Sequence, residues 1–217
     1  MNRSELQPQP QPEDPFVSWK QQREAAQLGM WLFLASEVMM FGSLIMIAWF
    51  YRAEHPDGVG EAVSRLHYLL AGGNTALLLT SSLCMSLGLE AAGRLEVSKL
   101  RRYLLFSALL GLGFLGCKLL EYGLEFNEGL LPGFGLDSPL QLPSARLFMD
   151  LYFFATFLHG IHVLVAVGLG LHLYVGLKRR WVELPQGSVR IEMTTLYWHL
   201  VDAIWVLLYP SLYLIGR

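Results

Sequence analysis

Two ionisable side chains, His199 and Asp202, lie three residues apart inside the last apolar run of the chain. This spacing puts both on one face of an α-helix. At membrane depth an ionisable side chain costs at least about 2.5–3.5 kcal/mol, so it faces protein or a water-filled path and avoids lipid. The pair is therefore a candidate for a buried polar network that holds or moves protons.

Glu37 is the deepest carboxylate of the chain, well inside the first apolar run. Roughly 13 Å of helix, at about 1.5 Å per residue, separates it from the start of that run. A glutamate cannot reach water across this distance, so it needs a partner within the protein. Either it is a neutral, hydrogen-bonded packing element or it takes part in proton movement. The candidate partners are Ser36 and Ser43 nearby, and His162, His199 and Asp202 on other helices.

His159 and His162 share a helix face in the fourth apolar run. Two histidines at this spacing could bind a metal or a haem. However, His199 is the only other histidine deep in an apolar run. Three are too few for a bis-histidine haem beside a metal centre, or for a histidine-rich di-iron site. We therefore expect these histidines to join a polar network, and we predict no metal site and no catalytic residue in this chain.

Lys118 and Glu121 are also three residues apart, near the end of the third run. They can pair, or the lysine can extend to the membrane interface. We expect a structural ion pair.

The composition indicates the class of protein in which these groups are positioned. Of 217 residues, 53% are hydrophobic and 16% charged, and the mean hydropathy is +0.40. These values indicate a polytopic membrane protein. The formal net charge of −2 gives no basic excess for a nucleic-acid partner. Cys84 and Cys117 both lie in apolar runs without metal or redox spacing, which is typical of small packing residues.

Five apolar runs are each long enough to cross a bilayer, at residues 28–50, 66–89, 103–122, 147–177 and 193–215. The predicted fold is thus an all-α, polytopic bundle of five transmembrane helices, formed by residues 28–217. Residues 1–27 are predicted to be a disordered and interfacial segment, because their Gln-Pro repeat cannot bury a core. Residues 123–146, rich in Pro and Gly, are predicted to be a surface excursion and not a sixth span.

Lys and Arg cluster before span one, after span two and after span four. All three clusters fall on one side of a five-span topology. The positive-inside rule then places the N-terminus in the cytoplasm and the C-terminus outside.

Span two carries small residues at four-residue steps, including Gly72, Ala76 and Thr80. Small residues let helix backbones approach closely. We predict a tight helix crossing there.

Several strings together resemble the signatures of subunit III of the haem-copper oxidases. They occur in the order of that family and cover all five spans: residues 28–37 (LGMWLFLASE), 73–75 (GNT), 80–82 (TSS), 118–122 (KLLEY), 159–163 (HGIHV) and 196–205 (LYWHLVDAIW). The chain lacks two N-terminal helices that many members have, as in short bacterial forms.

The resemblance implies an accessory subunit with no haem or copper of its own, which are carried by partner subunits. It implies direct docking on subunit I, a complex that includes subunit II, phospholipid bound in a cleft between helices, and support of proton uptake from the cytoplasmic side of a bacterial inner membrane. By position it matches five residues to the buried polar sites of the family: Glu37, His159, His162, His199 and Asp202.

The resemblance leaves the electron donor open, because short subunits occur in cytochrome c oxidases and in quinol oxidases, and related proteins accompany nitric oxide reductases. Two other classes compete. A free-standing membrane haem or metal enzyme would use His159, His162 and His199. A proton-coupled transporter would use Glu37 and Asp202, but it predicts broken helices or an internal repeat, and neither is visible in the sequence.

Overall fold

The computed structural model describes residues 15–130, 139–184 and 187–214. These form six α-helices and a closing π-helical turn. In chain order they are α1 (Trp19–Glu54), α2 (Pro56–Arg65), α3 (Tyr68–Gly93), α4 (Val97–Asn127), α5 (Pro143–Arg179), α6 (Ser188–Tyr209) and the π turn (Pro210–Leu214).

Five of these helices are long and apolar enough to cross a membrane: α1, α3, α4, α5, and α6 with its π turn. The predicted all-α bundle of five spans is therefore confirmed. α1 begins at Trp19, before the start of span one predicted at residue 28. Ser18 Oγ caps this helix by accepting a hydrogen bond from Gln21 N at 3.2 Å. The predicted disorder of residues 1–14 and the middle of the predicted surface excursion, residues 131–138, lie outside the described residues. The domain division at residue 27 stays a prediction.

Side-chain contacts fix the directions of the helices. Arg23 pairs with Glu192 at 2.7 Å where α1 and α6 begin, and Trp49 donates to Ser211 Oγ at 3.1 Å where both end. α1 and α6 therefore run parallel. We call the end of the bundle where α1 and α6 start the amino side, and the opposite end the carboxyl side.

The buried positions of the spans follow a seven-residue repeat. α1 buries Leu34, Phe41 and Ala48 and leaves most of its remaining surface exposed. α3 buries Ala71, Leu78, Met85 and Ala92 against α4 and α6. A seven-residue repeat keeps one stripe of a helix on its neighbour, as in a coiled coil. α1 is thus the peripheral helix, and α3 to α6 form the core.

The short helix α2 was not predicted from the sequence. It lies on the carboxyl side and buries Val59, Ala62 and Val63 beneath the start of α5. Its Glu61 accepts hydrogen bonds from the backbone N of Gln141 and Leu142, at 2.7 and 3.2 Å. A carboxylate here accepts hydrogen bonds from otherwise free backbone N–H groups just before α5. Its negative charge also interacts favourably with the positive end of the α5 helix dipole.

Gly58 provides the closest approach between α2 and α5. A Cβ at this position would overlap Ser144 Oγ and lie 3.1 Å from Ala145 N. We expect Gly58→Ala to lower the free energy of unfolding by about 1–3 kcal/mol, because overpacking must push the start of α5 away. Gly29→Ala is the matched control, since a Cβ there meets nothing within 4 Å. Equal thermal unfolding midpoints for both variants in detergent would contradict this account of the contact.

Candidate functional site

Glu37 and His162 meet between α1 and α5. Glu37 Oε2 lies 3.0 Å from His162 Nε2, and the two side chains are only 13% and 14% exposed. This contact is a close approach of the two groups, and Glu37 Oε2 makes no hydrogen bond within the described part of the chain. Of the partners that the sequence offered for Glu37, the structure selects His162. Ser36 and Ser43 bond instead to carbonyl oxygens of their own helix, those of Phe33 and Met40.

The second nitrogen of His162 fixes the tautomer of its imidazole ring. Nδ1 lies 2.8 Å from the carbonyl oxygen of Leu158. A carbonyl only accepts, so Nδ1 carries a hydrogen. Nε2 then either accepts from a neutral Glu37 or, in an imidazolium, donates to a carboxylate. The two forms contain the same number of protons and differ only in where one of them resides, so the pair can hold and pass on a single proton.

His159 occupies a different environment one turn away. It is fully buried, stacks on Trp205 at a centroid distance of 5.0 Å, and has ring edges of Phe41 and Phe114 beside it. Neither ring nitrogen has a hydrogen-bond partner among the described residues. An aromatic cage of this kind gives no stabilisation to an imidazolium beyond ring contacts, so His159 acts here as a neutral core side chain.

His199 and Asp202 lie where α6 crosses α3. His199 Nδ1 is 2.6 Å from Ser82 Oγ, and Nε2 is 3.2 Å from Ser86 Oγ. Asp202 is 5% exposed, and neither carboxylate oxygen makes a hydrogen bond within the described residues. Ser82, the polar side chain beside it, already engages His199. The two groups therefore share a helix face without joining the Glu37–His162 pair.

Lys118 is the centre of a second polar cluster, near the carboxyl side. Its Nζ lies 2.9 Å from Glu121 Oε2, 3.1 Å from Tyr152 Oη and 2.5 Å from Tyr213 Oη. Tyr213 donates to Glu121 Oε1 at 2.8 Å, and Tyr152 donates to Glu125 Oε1 at 2.7 Å. The three ammonium hydrogens and both phenol hydrogens thus all have acceptors.

This cluster contains one cation and two carboxyl groups, all buried. Lys118 balances Glu121, and Glu125 remains with one oxygen, Oε2, that has no partner among the described residues. The sequence predicted the Lys118–Glu121 contact from spacing alone. It did not predict Glu125, Tyr152 or Tyr213, although Glu125 follows Glu121 by one helical turn and that spacing was a usable signal.

The small residues of α3 are not all buried together inside this chain. Only Gly72 meets α6, through the Tyr209 hydroxyl, which would be 3.0 Å from an added Cβ. Ala76 and Thr80 are exposed on the surface of the bundle. Steps of four residues drift around a helix with 3.6 residues per turn, so the stripe leaves the buried seam that the seven-residue repeat defines.

The chemistry available to these sites is proton binding. In the described part of the chain no three His, Cys, Asp or Glu side chains come together as a metal-binding group. The buried groups described above are the Glu37–His162 pair, the caged His159, the serine-bound His199, Asp202 and the Lys118 cluster. Together with five membrane-sized helices, they define a multi-pass membrane protein with a buried polar interior.

Comparison with known proteins identifies the family. The family model for cytochrome c oxidase subunit III matches residues 19–217. The chain is 29% identical to cytochrome c oxidase subunit 3 of Thermostichus vulcanus over 88% of this chain and 87% of that one. It is 28% identical to quinol oxidase subunit 3 of Bacillus spizizenii over 87% and 86% of the two chains. The chain therefore belongs to the cytochrome c oxidase subunit III family.

A third relative is a longer chain. The heme-copper oxidase subunit I+III of Aeropyrum pernix is 29% identical over 91% of this chain, which spans 23% of that protein. The resemblance drawn from the sequence motifs is thus confirmed, and this chain is a subunit III of the haem-copper oxidases, in a family that includes cytochrome c and quinol types.

Proposed function

We propose that this chain is a non-redox subunit that binds directly to subunit I of a respiratory haem-copper oxidase and, in the same complex, associates with subunit II. The observation that carries the proposal is the family match across the whole described bundle, from residue 19 onwards. The Aeropyrum relative, named as subunit I+III, supports a direct contact because both parts belong to one chain there. Haem and copper are then bound by the partner subunits, and this chain contributes no ligand to them.

Phospholipid binding is part of the proposal. A cavity of about 1030 Å³ opens on the amino side between α1, the end of α5 and the start of α6. Arg23, Arg180 and Arg190 line its mouth, with Trp19 and Trp181 beside them. Arginines bind phosphate groups, and tryptophans favour the headgroup region of a bilayer. These residues support a phospholipid headgroup held at the mouth of the cavity.

We further propose that the complex lies in a bacterial inner membrane, with the N-terminus of this chain in the cytoplasm and its C-terminus outside. The Lys and Arg residues of the loops support this orientation. The amino side then faces the compartment from which the oxidase takes up protons. The Glu37–His162 pair supports a role in that uptake, because it brings a carboxyl group and an imidazole together within the membrane.

Purification of the tagged chain from its native membranes tests this proposal. We expect a haem-containing partner to co-purify, with the absorption spectrum of a terminal oxidase and with oxygen consumption driven by reduced cytochrome c or by quinol. Because the cytochrome c and quinol relatives are 29% and 28% identical to this chain, similarity does not assign the donor, and the preferred donor in this assay assigns the type of oxidase.

The isolated chain serves as the control. Separated from the complex, it should be colourless and contain no stoichiometric haem or copper. A haem or metal bound to the isolated chain would indicate a free-standing enzyme. Recovery of the chain without any haem-containing partner would contradict the assignment to an oxidase complex.

A further inference from the structure

The Lys118 cluster contains one more carboxyl group than it has cations. Lys118 is 5% exposed, and Glu121 and Glu125 are fully buried. A buried charge is costly unless an opposite charge or several hydrogen bonds compensate it. Lys118 compensates one carboxylate. The second carboxyl group is therefore either an uncompensated buried charge or a neutral acid that carries a proton.

The hydrogen bonds indicate which of the two carboxyl groups is the carboxylate. Glu121 accepts from Lys118 Nζ at 2.9 Å on Oε2 and from Tyr213 Oη at 2.8 Å on Oε1, so each oxygen has a donor. Glu125 accepts from Tyr152 Oη at 2.7 Å on Oε1, but its buried Oε2 has no partner among the described residues. Hydrogen-bond donors stabilise the charged form of a carboxyl group. This arrangement favours the charge on Glu121 and the proton on Glu125.

The other polar groups near Glu125 on α4 are engaged elsewhere. The Tyr122 hydroxyl lies 2.6 Å from Thr156 Oγ1. Glu128 pairs with His67 at 3.4 Å, and these side chains are 44% and 38% exposed. Within the described residues, the ion pair of the buried cluster remains that of Lys118 with Glu121. A second carboxylate at Glu125 would thus add a negative charge without adding a cation.

Tyr152 connects the two carboxyl groups. Its hydroxyl lies 2.7 Å from Glu125 Oε1 and 3.3 Å from Glu121 Oε1. Lys118 Nζ donates to this hydroxyl oxygen at 3.1 Å, which leaves the phenol hydrogen for a carboxyl oxygen. When Glu125 carries its proton on Oε2, its Oε1 is the carbonyl oxygen that accepts the phenol hydrogen.

The end of α4 encloses this position. Glu125 lies two residues before Asn127, where the helix ends. The chain then turns back at Gly129, whose φ of 70° is left-handed, and Leu130 N donates to the carbonyl oxygen of Glu125 at 3.0 Å. This bond is typical of a Schellman turn, and Leu130 is 4% exposed. Glu125 is therefore close to the carboxyl side in sequence but shielded from water.

We infer that the Lys118 cluster binds one proton and that this proton resides on Glu125. The cluster is then electrically neutral and consists of an ammonium, a carboxylate and a carboxylic acid, held together by two phenol hydroxyl groups. It is a proton-binding site near the carboxyl side, built from other residues than the Glu37–His162 pair. The site depends on this chain alone, so it goes beyond the proposed function and does not rest on the electron donor.

Infrared difference spectroscopy of the chain, purified together with its native partners, tests the protonation of Glu125. The spectrum of the parent minus that of Glu125→Gln at neutral pH should contain the C=O band of a carboxylic acid and no carboxylate band. Gln keeps the size of the side chain and an oxygen that accepts from Tyr152, so this variant should fold. Carboxylate bands in place of the acid band would show that Glu125 is ionised and would overturn the inference.

Glu125→Asp and Glu121→Asp locate the proton, because both keep the number of carboxyl groups. We expect the acid band to shift in Glu125→Asp and to stay at the parent frequency in Glu121→Asp. A shift in Glu121→Asp alone would place the proton on Glu121 and contradict the assignment. The two Asp variants decide the question even where Glu125→Gln is not recovered.

Glu90→Gln is the matched control for an ionised glutamate. Glu90 is 56% exposed and lies 2.6 Å from Arg94. The difference spectrum of this variant should contain carboxylate bands and no acid band. An acid band equal to that of Glu125→Gln would show that the band does not report on the buried cluster, and the inference would fail.

Discussion

Lys118→Met is expected to lower the free energy of unfolding of this subunit by about 3–5 kcal/mol, the usual cost of removing one partner from a buried ion pair. Lys118 is 5% exposed, and Glu121 and Glu125 are fully buried. Without the ammonium group, Glu121 Oε2 and the acceptor sides of Tyr152 and Tyr213 lose a donor, and both buried carboxyl groups lose the neighbouring cation. The variant should unfold at a lower temperature in detergent and be recovered in smaller amounts with the oxidase.

Two variants separate this effect from a general effect of losing a lysine. Lys99→Met removes a surface pair, since Lys99 is 53% exposed and bonds to Glu96 at 2.8 Å. It is expected to leave stability unchanged, because exposed pairs contribute little. Adding Glu121→Gln to Lys118→Met removes the charge left behind and should restore part of the lost stability. If Lys118→Met were as stable as Lys99→Met, the cluster would not hold the carboxyl side together.

The five spans could be predicted because hydropathy depends on local composition. The predicted runs of spans one, three and four lie inside longer helices, as for α4, which runs from Val97 to Asn127 around the predicted 103–122. The run predicted at 66–89 starts two residues before α3 and ends four residues before it does. Charged residues can extend a helix beyond the bilayer, and hydropathy does not detect these helix extensions. The sequence did not predict α2, because the helical form of this segment does not follow from its local composition. Its ten residues include one Pro and two Gly, and its helical form depends on packing beneath α5.

The candidate site was only partly predictable, because pairing across helices depends on their register. Depth alone required a partner for Glu37, but it could not choose among His162, His199 and Asp202. The structure places His199 and Asp202 against α3 and leaves His162 for Glu37. Contacts within a helix, such as Lys118–Glu121, follow from spacing. Tyr213, which donates to Glu121 from the π turn, comes from a segment 92 residues later in the chain.

Glu37→Ala and Glu37→Gln are expected to differ, and the difference separates packing from proton binding. The Ala variant leaves a cavity and removes the partner of His162 Nε2, so we expect a loss of about 2–4 kcal/mol in the free energy of unfolding. It should also weaken retention of the subunit in the complex. The Gln variant fills the same space and its amide can donate to Nε2. Its stability should fall by less than about 1 kcal/mol, with the subunit retained.

The rate and duration of oxygen reduction then test whether a proton on Glu37 is needed. An amide cannot release a proton to His162, so the Gln variant should assemble normally but sustain oxygen reduction for a shorter time than the parent. His162→Gln provides the matched test from α5, because the same shared proton is lost while Glu37 keeps a donor at 3.0 Å in the parent geometry. Similar losses of active lifetime in both variants, and no further loss in the double variant, would show that the two residues act as one unit.

If Glu37→Gln keeps the full rate and lifetime while Glu37→Ala loses the subunit, the pair is structural. Parent behaviour in both Glu37 variants would mean that Glu37 contributes neither packing nor proton binding.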